Sequence, residues 1–316
     1  MIEASTGRAP ARPDGRGGGL RKGLELALLL GPALALFAGF VLAPIAVAAY
    51  DSLHKWQGFG PLEGFIGLAN YRQAIHDAVF QVAVSHNLIY AGLSLAIQLP
   101  LSIGLALLLN RNLRGQRFLR LVTFAPYVLS EAITAVTWLL MLQPRGFIDQ
   151  SLTIFGLGSL IRYWLANRSI VLYTLFVVIT WKYVGFGIIL LIAGLQGIPL
   201  ELREAAVLDG ANAFQVTRVI TVPLLGPTIR IWIFLTVIGS LQLFDLVWIM
   251  TLGGPANASN TMVTYLIDRG FRRYEFGYGN AVAVILFIIC FAFALAYQRF
   301  VLRRDSAGAL TRMVGQ

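Results

Sequence analysis

The chain has 316 residues, 57% of them hydrophobic and only 13% charged, against roughly 25% Asp, Glu, Lys and Arg in an ordinary soluble domain. Its net charge of +10 would suit nucleic acid, but the basic residues stand in short clusters between long apolar runs, which is the pattern of membrane orientation and argues against a nucleic-acid partner. The single cysteine, Cys290, lies inside an apolar run, so an intrachain disulfide and a cysteine zinc framework are both excluded.

Residues 1–23 are rich in Gly, Pro and Arg and predict a disordered basic tail. The next stretch, 24–50, ends in Ala46-Val47-Ala48-Ala49, which mimics a signal-peptidase site. It is far longer than the roughly 7–15 apolar residues of a signal-peptide core, and it reads as an uncleaved first helix. Further apolar runs of membrane-spanning length fall at about 82–109, 119–142, 170–195, 228–252 and 279–301, leaving residues 302–316 as a second tail. An all-α membrane protein of six transmembrane helices over 24–301 follows, with the lipid bilayer as its solvent and both termini on one side.

Sixteen Lys and Arg residues fall in the segments that share a side with the N-terminus, among them Arg21, Lys22, Arg111, Arg114, Arg203, Arg218 and Arg303. Eight, including Lys55, Arg145, Arg269 and Arg272, fall on the other side. That bias puts both termini in the cytoplasm.

The fourth connection, about 196–227, is the most informative. Pro199 suits a helix start, where the missing N–H is not needed, and Glu201, Leu202, Ala205 and Leu208 follow at helical spacing. Asp209-Gly210 breaks that helix, because glycine supplies the positive φ that closes a helix C-terminus. A second helix is predicted from Ala211 to Val219, ended by Pro223 and Pro227 before the fifth span. The small residues Ala205, Ala206 and Ala211 permit close approach of another protein. An interfacial amphipathic helix of purely structural role would share part of this spacing.

Glu-Ala-Ala, three residues, Gly, then Pro at the next span resembles the EAA loop of binding-protein-dependent ABC importers, at Glu204, Ala205, Ala206, Asp209, Gly210, Ala211, Phe214, Pro223 and Pro227. Two further segments, Gly67 to Tyr90 and Phe244 to Ile267, resemble the entry to the second helix and the exit from the fifth in carbohydrate permeases of the maltose and glycerol-phosphate type. The resemblance covers nearly everything from Leu24 to Val301. It implies a type I importer permease fold in a bacterial or archaeal inner membrane, with a cytoplasmic coupling helix that docks into a cleft of a nucleotide-binding subunit. The implied partners are a dimer of ATPase subunits, a second permease subunit and an extracytoplasmic solute-binding protein, and the implied cargo is a sugar or related polyol. The chain lacks the short glycine-containing C-terminal signature of the second subunit type, which assigns it to the first type of a heterodimeric pair.

No catalytic residues or cofactor are expected in the chain. The only lysines, Lys22, Lys55 and Lys182, precede Gly23, Trp56 and Tyr183, so no Gly-Lys-Ser/Thr phosphate loop exists; ATP and Mg belong on a partner. His54, His76 and His86 are scattered without a zinc motif, so no metal site is expected.

Polar groups within spans are costly and therefore informative. Asn87 and Gln98 lie in the second span, Glu131 in the third with Trp138 seven residues on, Lys182 in the fourth, and Gln242, Asp245 and Trp248 at steps of three in the fifth. These stripes are candidates for a translocation path, with an interhelical Glu131–Lys182 ion pair and helix-packing roles for Asn87 and Gln98 as competing readings. A stand-alone secondary transporter or channel would use Glu131, Lys182 and Asp245 as ion sites. An intramembrane enzyme would need a nucleophile and base at helical spacing, and no such pair stands out.

Overall fold

The computed structural model describes residues 18–62, 64–111 and 114–302. Most of the N-terminal tail and nearly all of the C-terminal tail lie outside these residues. The chain divides into two units, residues 1–50 and 51–316. The first is a helix running from Gly18, whose apolar part, Ala27–Asp51, is α1.

In the second unit a short helix α2 (Ala69–His76) leads to α3 (Ala78–Leu109), which starts four residues earlier than its apolar run suggested. Asp77 is the reason: its carboxylate accepts the amides of Val79 and Phe80 at 2.8 and 3.2 Å and so caps the helix. Helices α4 (Gln116–Val128) and α5 (Glu131–Met141) follow, then α6 (Phe147–Ile154) and α7 (Val171–Gln196). A surface pair, α8 (Leu200–Leu208) and α9 (Ala213–Leu224), precedes α10 (Gly226–Leu241), α11 (Asp245–Thr251), α12 (Met262–Ile267) and α13 (Phe276–Leu302).

Three prolines shape the helices in the same way. Five-residue π-turns at Ala38–Leu42, Ser94–Gln98 and Thr217–Thr221 are each followed two residues later by Pro44, Pro100 and Pro223. A proline ring collides with the carbonyl four residues back, and those carbonyls, of Phe40, Ala96 and Val219, all fall within the widened turns. The helices therefore continue. Pro223 does not end the second surface helix as the sequence suggested; the break comes at Leu225, and Pro227 sits in the first turn of α10.

Two spans are broken. The third is not the straight helix expected over 119–142: α4 and α5 meet at 99°. Leu129 and Ser130 take extended conformations with ψ of 142° and 153°, and the Ser130 hydroxyl caps α5 through the amide of Ile133. The fifth span is interrupted at Gln242–Phe244, where Phe244 leaves the helical region at φ −139°, ψ −68°.

Freed carbonyls inside a membrane need partners within the protein. Lys182, 2% exposed, donates to the Leu129 carbonyl at 2.6 Å. Asn87 donates to the carbonyls of Ser240 and Leu241 at 2.6 and 3.2 Å, and Thr261 to that of Leu243 at 2.7 Å. α7 is the most enclosed span of the unit, with α3, α4 and α10 packed around it. Gly185 permits its closest crossing, since a Cβ there would collide with the Thr123 carbonyl of α4.

Candidate functional site

The α8–α9 pair is a helix-turn-helix built by local rules. Pro199 sits at the N-cap. At the other end Gly210 takes φ +87°, its amide bonds the Val207 carbonyl at 3.0 Å, and the Ala211 amide bonds the Ala206 carbonyl at 2.9 Å. That pair of bonds closes the helix at a left-handed glycine. The second helix opens at Ala213, two residues later than expected, because Asn212 and Gln215 form a reciprocal capping box.

The pair is exposed where a soluble protein would hide it. Leu208 is 88% and Phe214 71% exposed. Glu204, Ala205, Asp209 and Gly210 are exposed as well, with Ala206 and Ala211 half-buried behind them. Among the described residues the Glu204 carboxylate makes no ion pair or hydrogen bond. Beneath the pair, a cavity of about 790 Å³ is lined by Glu204 and Leu208, by Val216 of α9, and by Arg111 and Leu195 at the ends of α3 and α7. An apolar surface of this kind, rimmed by charge, marks an interaction site.

A second cavity, of about 400 Å³, lies between the spans, within the roughly 300–1,000 Å³ of small-molecule sites. Of the predicted path residues, Glu131, Gln242 and Asp245 line it, and Gln98 does too. Tyr183 donates its hydroxyl to Glu131 Oε1 at 2.6 Å, and Lys182 stands 3.6 Å from the same oxygen. Four others lie outside the lining. Asn87 and Lys182 hold the broken backbones, Trp138 meets Trp181 edge-on at 5.5 Å, and Trp248 stacks on Phe244 with the Arg272 guanidinium 5.8 Å from its ring. The interruption at Gln242–Phe244 parts Gln242 from α11, which carries Asp245 and Trp248, yet Gln242 and Asp245 still line one cavity. The sequence reading missed Tyr90, Tyr127, Tyr183, Phe186, Trp232 and Thr236. Aromatic or weakly polar residues in apolar runs give no local signal.

At the end of α3 opposite the surface pair, Asp77 gathers a polar cluster: the Tyr265 hydroxyl at 2.8 Å, Arg269 at 3.2 Å, and, through Arg269, Glu275. Burial alone would raise the Asp77 carboxyl; the Tyr265 hydroxyl, the Phe80 and Val79 amides and the Arg269 charge outweigh it and hold its pKa below the ordinary value.

Apolar spans, two of them broken around an internal cavity, with an exposed helix-turn-helix between the fourth and fifth, define a polytopic membrane permease. Residues 98–305 match the family of binding-protein-dependent transport system inner membrane components, and the chain belongs to it. It is therefore an inner-membrane transport permease subunit. A probable ABC transporter permease of Bacillus subtilis, YurN, is 36% identical over 86% of this chain and 94% of its own length. The trehalose/maltose transport system permease MalF of Thermococcus litoralis is 30% identical, covering 85% of this chain and 91% of that one. A bacterial alginate ABC transporter, solved in complex with an alginate pentasaccharide-bound periplasmic protein, contains a chain of the same fold, with a TM-score of 0.80 over 92% of this chain and 98% of that one at 21% identity.

Proposed function

We propose that this chain is the first-type member of a heterodimeric permease pair that imports a sugar or related polyol, powered by a dimer of ATPase subunits that binds ATP and Mg and docks on α8–α9. The observation that carries this reading is the exposed apolar pair itself, with Leu208 88% and Phe214 71% exposed beside a carboxylate, Glu204, that has no partner among the described residues. Glu204 offers its charge to basic groups of the ATPase cleft, while Ala205, Ala206 and Ala211 allow close approach and Gly210 sets the turn. This pair contributes geometry; the chemistry of hydrolysis stays on the partner.

Relatives named for trehalose/maltose, diacetylchitobiose and sn-glycerol-3-phosphate uptake support a carbohydrate or polyol cargo. The cavity holding Glu131, Gln242 and Asp245 is this chain's part of the path, with cargo delivered by a solute-binding protein. The excess of Lys and Arg on the side of the surface pair supports cytoplasmic termini.

The test is co-purification. Glu204→Lys should weaken recovery of the ATPase subunit with the permease pair while leaving the pair intact, and undiminished recovery would remove Glu204 from the interface. The reading of Glu131 and Lys182 as ion sites of a stand-alone transporter is less well supported, because Lys182 is already engaged by the Leu129 carbonyl.

A further inference from the structure

Buried polar atoms in native proteins are almost always hydrogen-bonded. Among the described residues eight buried side-chain atoms lack a hydrogen-bond partner, and four of them belong to residues lining the cavity between the spans: Tyr90 Oη, Glu131 Oε2, Trp232 Nε1 and Thr236 Oγ1. Tyr90, Trp232 and Thr236 are 1%, 3% and 8% exposed. The set is mixed in kind, since the indole only donates, the carboxylate only accepts and the two hydroxyls do either. Sugar hydroxyls, each both donor and acceptor, suit such a mixed set. Beside them Tyr127 stacks on Phe186 at 4.8 Å and Phe186 meets Trp232 at 5.6 Å, giving apolar faces for a sugar ring.

The charge of the lining is one-sided. Among the described residues its charged members are Glu131 and Asp245, and none is basic. The nearby Lys182 is outside the lining and 2% exposed, and it partly offsets Glu131 at 3.6 Å. Asp245 has no hydrogen-bond or ion-pair partner among the described residues, so a net negative charge faces the cavity. The phosphate or carboxylate group of an anionic sugar would bring only acceptors and would meet a like charge in a medium less polar than water.

Resting on the reading of this cavity as part of a sugar path, we propose that it accepts neutral and amino sugars and turns anionic ones away, with Asp245 and Glu131 as the specificity-determining residues. The relatives named for sn-glycerol-3-phosphate and alginate carry anionic cargo; by this inference the present chain does not.

The test uses matched probes on the assembled importer in detergent without its binding protein, read by saturation-transfer NMR: glucose, glucosamine and glucose 6-phosphate, then trehalose and trehalose 6-phosphate. The expected result is that neutral and amino sugars bind and each phosphate ester binds roughly tenfold more weakly or worse, the size of an unfavourable like-charge interaction in a partly solvated site. Asp245→Asn should narrow that gap and Asp245→Lys should close or reverse it, the gap being read within each variant as the ratio of phosphate-ester to parent-sugar affinity; co-purification checks that both variants assemble. Phosphate esters that bind as well as their parent sugars, or a discrimination unmoved by either variant, would overturn the charge filter and leave the sugar path standing. Binding of no sugar, or sugar binding indifferent to Tyr90→Phe and Trp232→Phe, would overturn the sugar path together with the filter.

Discussion

The ammonium of Lys182 lies 2.6 Å from the carbonyl oxygen of Leu129, a residue 53 positions earlier in the chain. The contact joins the middle of α7 to the point where the third span turns through 99°. The extended Leu129 removes its carbonyl from the helical ladder, and the lysine replaces the lost amide. A charged residue inside a span is thereby explained by the backbone it serves.

Lys182→Met should lower the thermal midpoint of the solubilised importer. It leaves a buried carbonyl and the Glu131 carboxylate short of a donor, a loss of about 1–3 kcal/mol for the orphaned group. An unchanged midpoint would mean that the break is held by other contacts, and Lys182 would return to the candidates for the path.

Asn87 does the same for the fifth span from the opposite direction. Its amide nitrogen donates to the Ser240 and Leu241 carbonyls, and its oxygen accepts the Met262 amide at 2.9 Å. Asn87→Ala should therefore destabilise by about 1–3 kcal/mol. Asn87→Asp should be worse than Ala, because a carboxylate keeps the acceptor but faces two carbonyls with a charge at a position that is 0% exposed. Denaturation midpoints of the two variants give the order, and Asp milder than Ala would contradict it.

At Gly210 the effect is conformational. A Cβ there meets nothing within 4 Å, yet φ is +87°, a region that costs an L-residue about 1–3 kcal/mol. Gly210→Val should abolish ATP-driven uptake by disrupting the α8–α9 turn while the spans remain folded. Gly210→Asn, which tolerates left-handed backbone better, should retain more. Normal uptake by the valine variant would count strongly against the surface pair as the coupling element.

What the sequence discloses here is what is local. The apolar runs located the spans, and Asp209-Gly210 located the turn, because span length and positive φ are written within a few residues. The breaks were not legible. Nothing near Leu129 announces that its carbonyl will be met by Lys182, and nothing near Gln242 shows that Asn87 and Thr261 will take over the ladder. A reading of the sequence alone therefore carries the helix on from Gln242 to Trp248, where the structure places an interruption at Gln242–Phe244. The cavity was half legible for a similar reason. Glu131 and Asp245 stand out as charges in apolar runs, whereas Tyr90 and Trp232 become informative only once their buried polar atoms are seen to lack partners.

Asp77 supplies a pH dependence whose sign follows from its surroundings. The ionised carboxylate accepts the Tyr265 hydroxyl and the Val79 amide and pairs with Arg269, so its pKa is lowered from the ordinary 3.8 in the folded chain. A group with a depressed folded pKa stabilises at pH values above its unfolded pKa, and the contribution is lost as pH falls through the folded one. Asp77→Asn keeps an oxygen to cap α3 but removes the charge and the second acceptor oxygen, so it takes away the pairing with Arg269 and the acceptor for the Tyr265 hydroxyl together. Near neutral pH the wild type should melt above Asp77→Asn. On acidification below about pH 5 the gap should narrow as the carboxylate takes up its proton. Other carboxylates titrate over the same range, so the difference between the two proteins is the quantity to follow. A gap that stays constant down to about pH 3 would show that the Asp77 charge contributes nothing to anchoring the start of the second span.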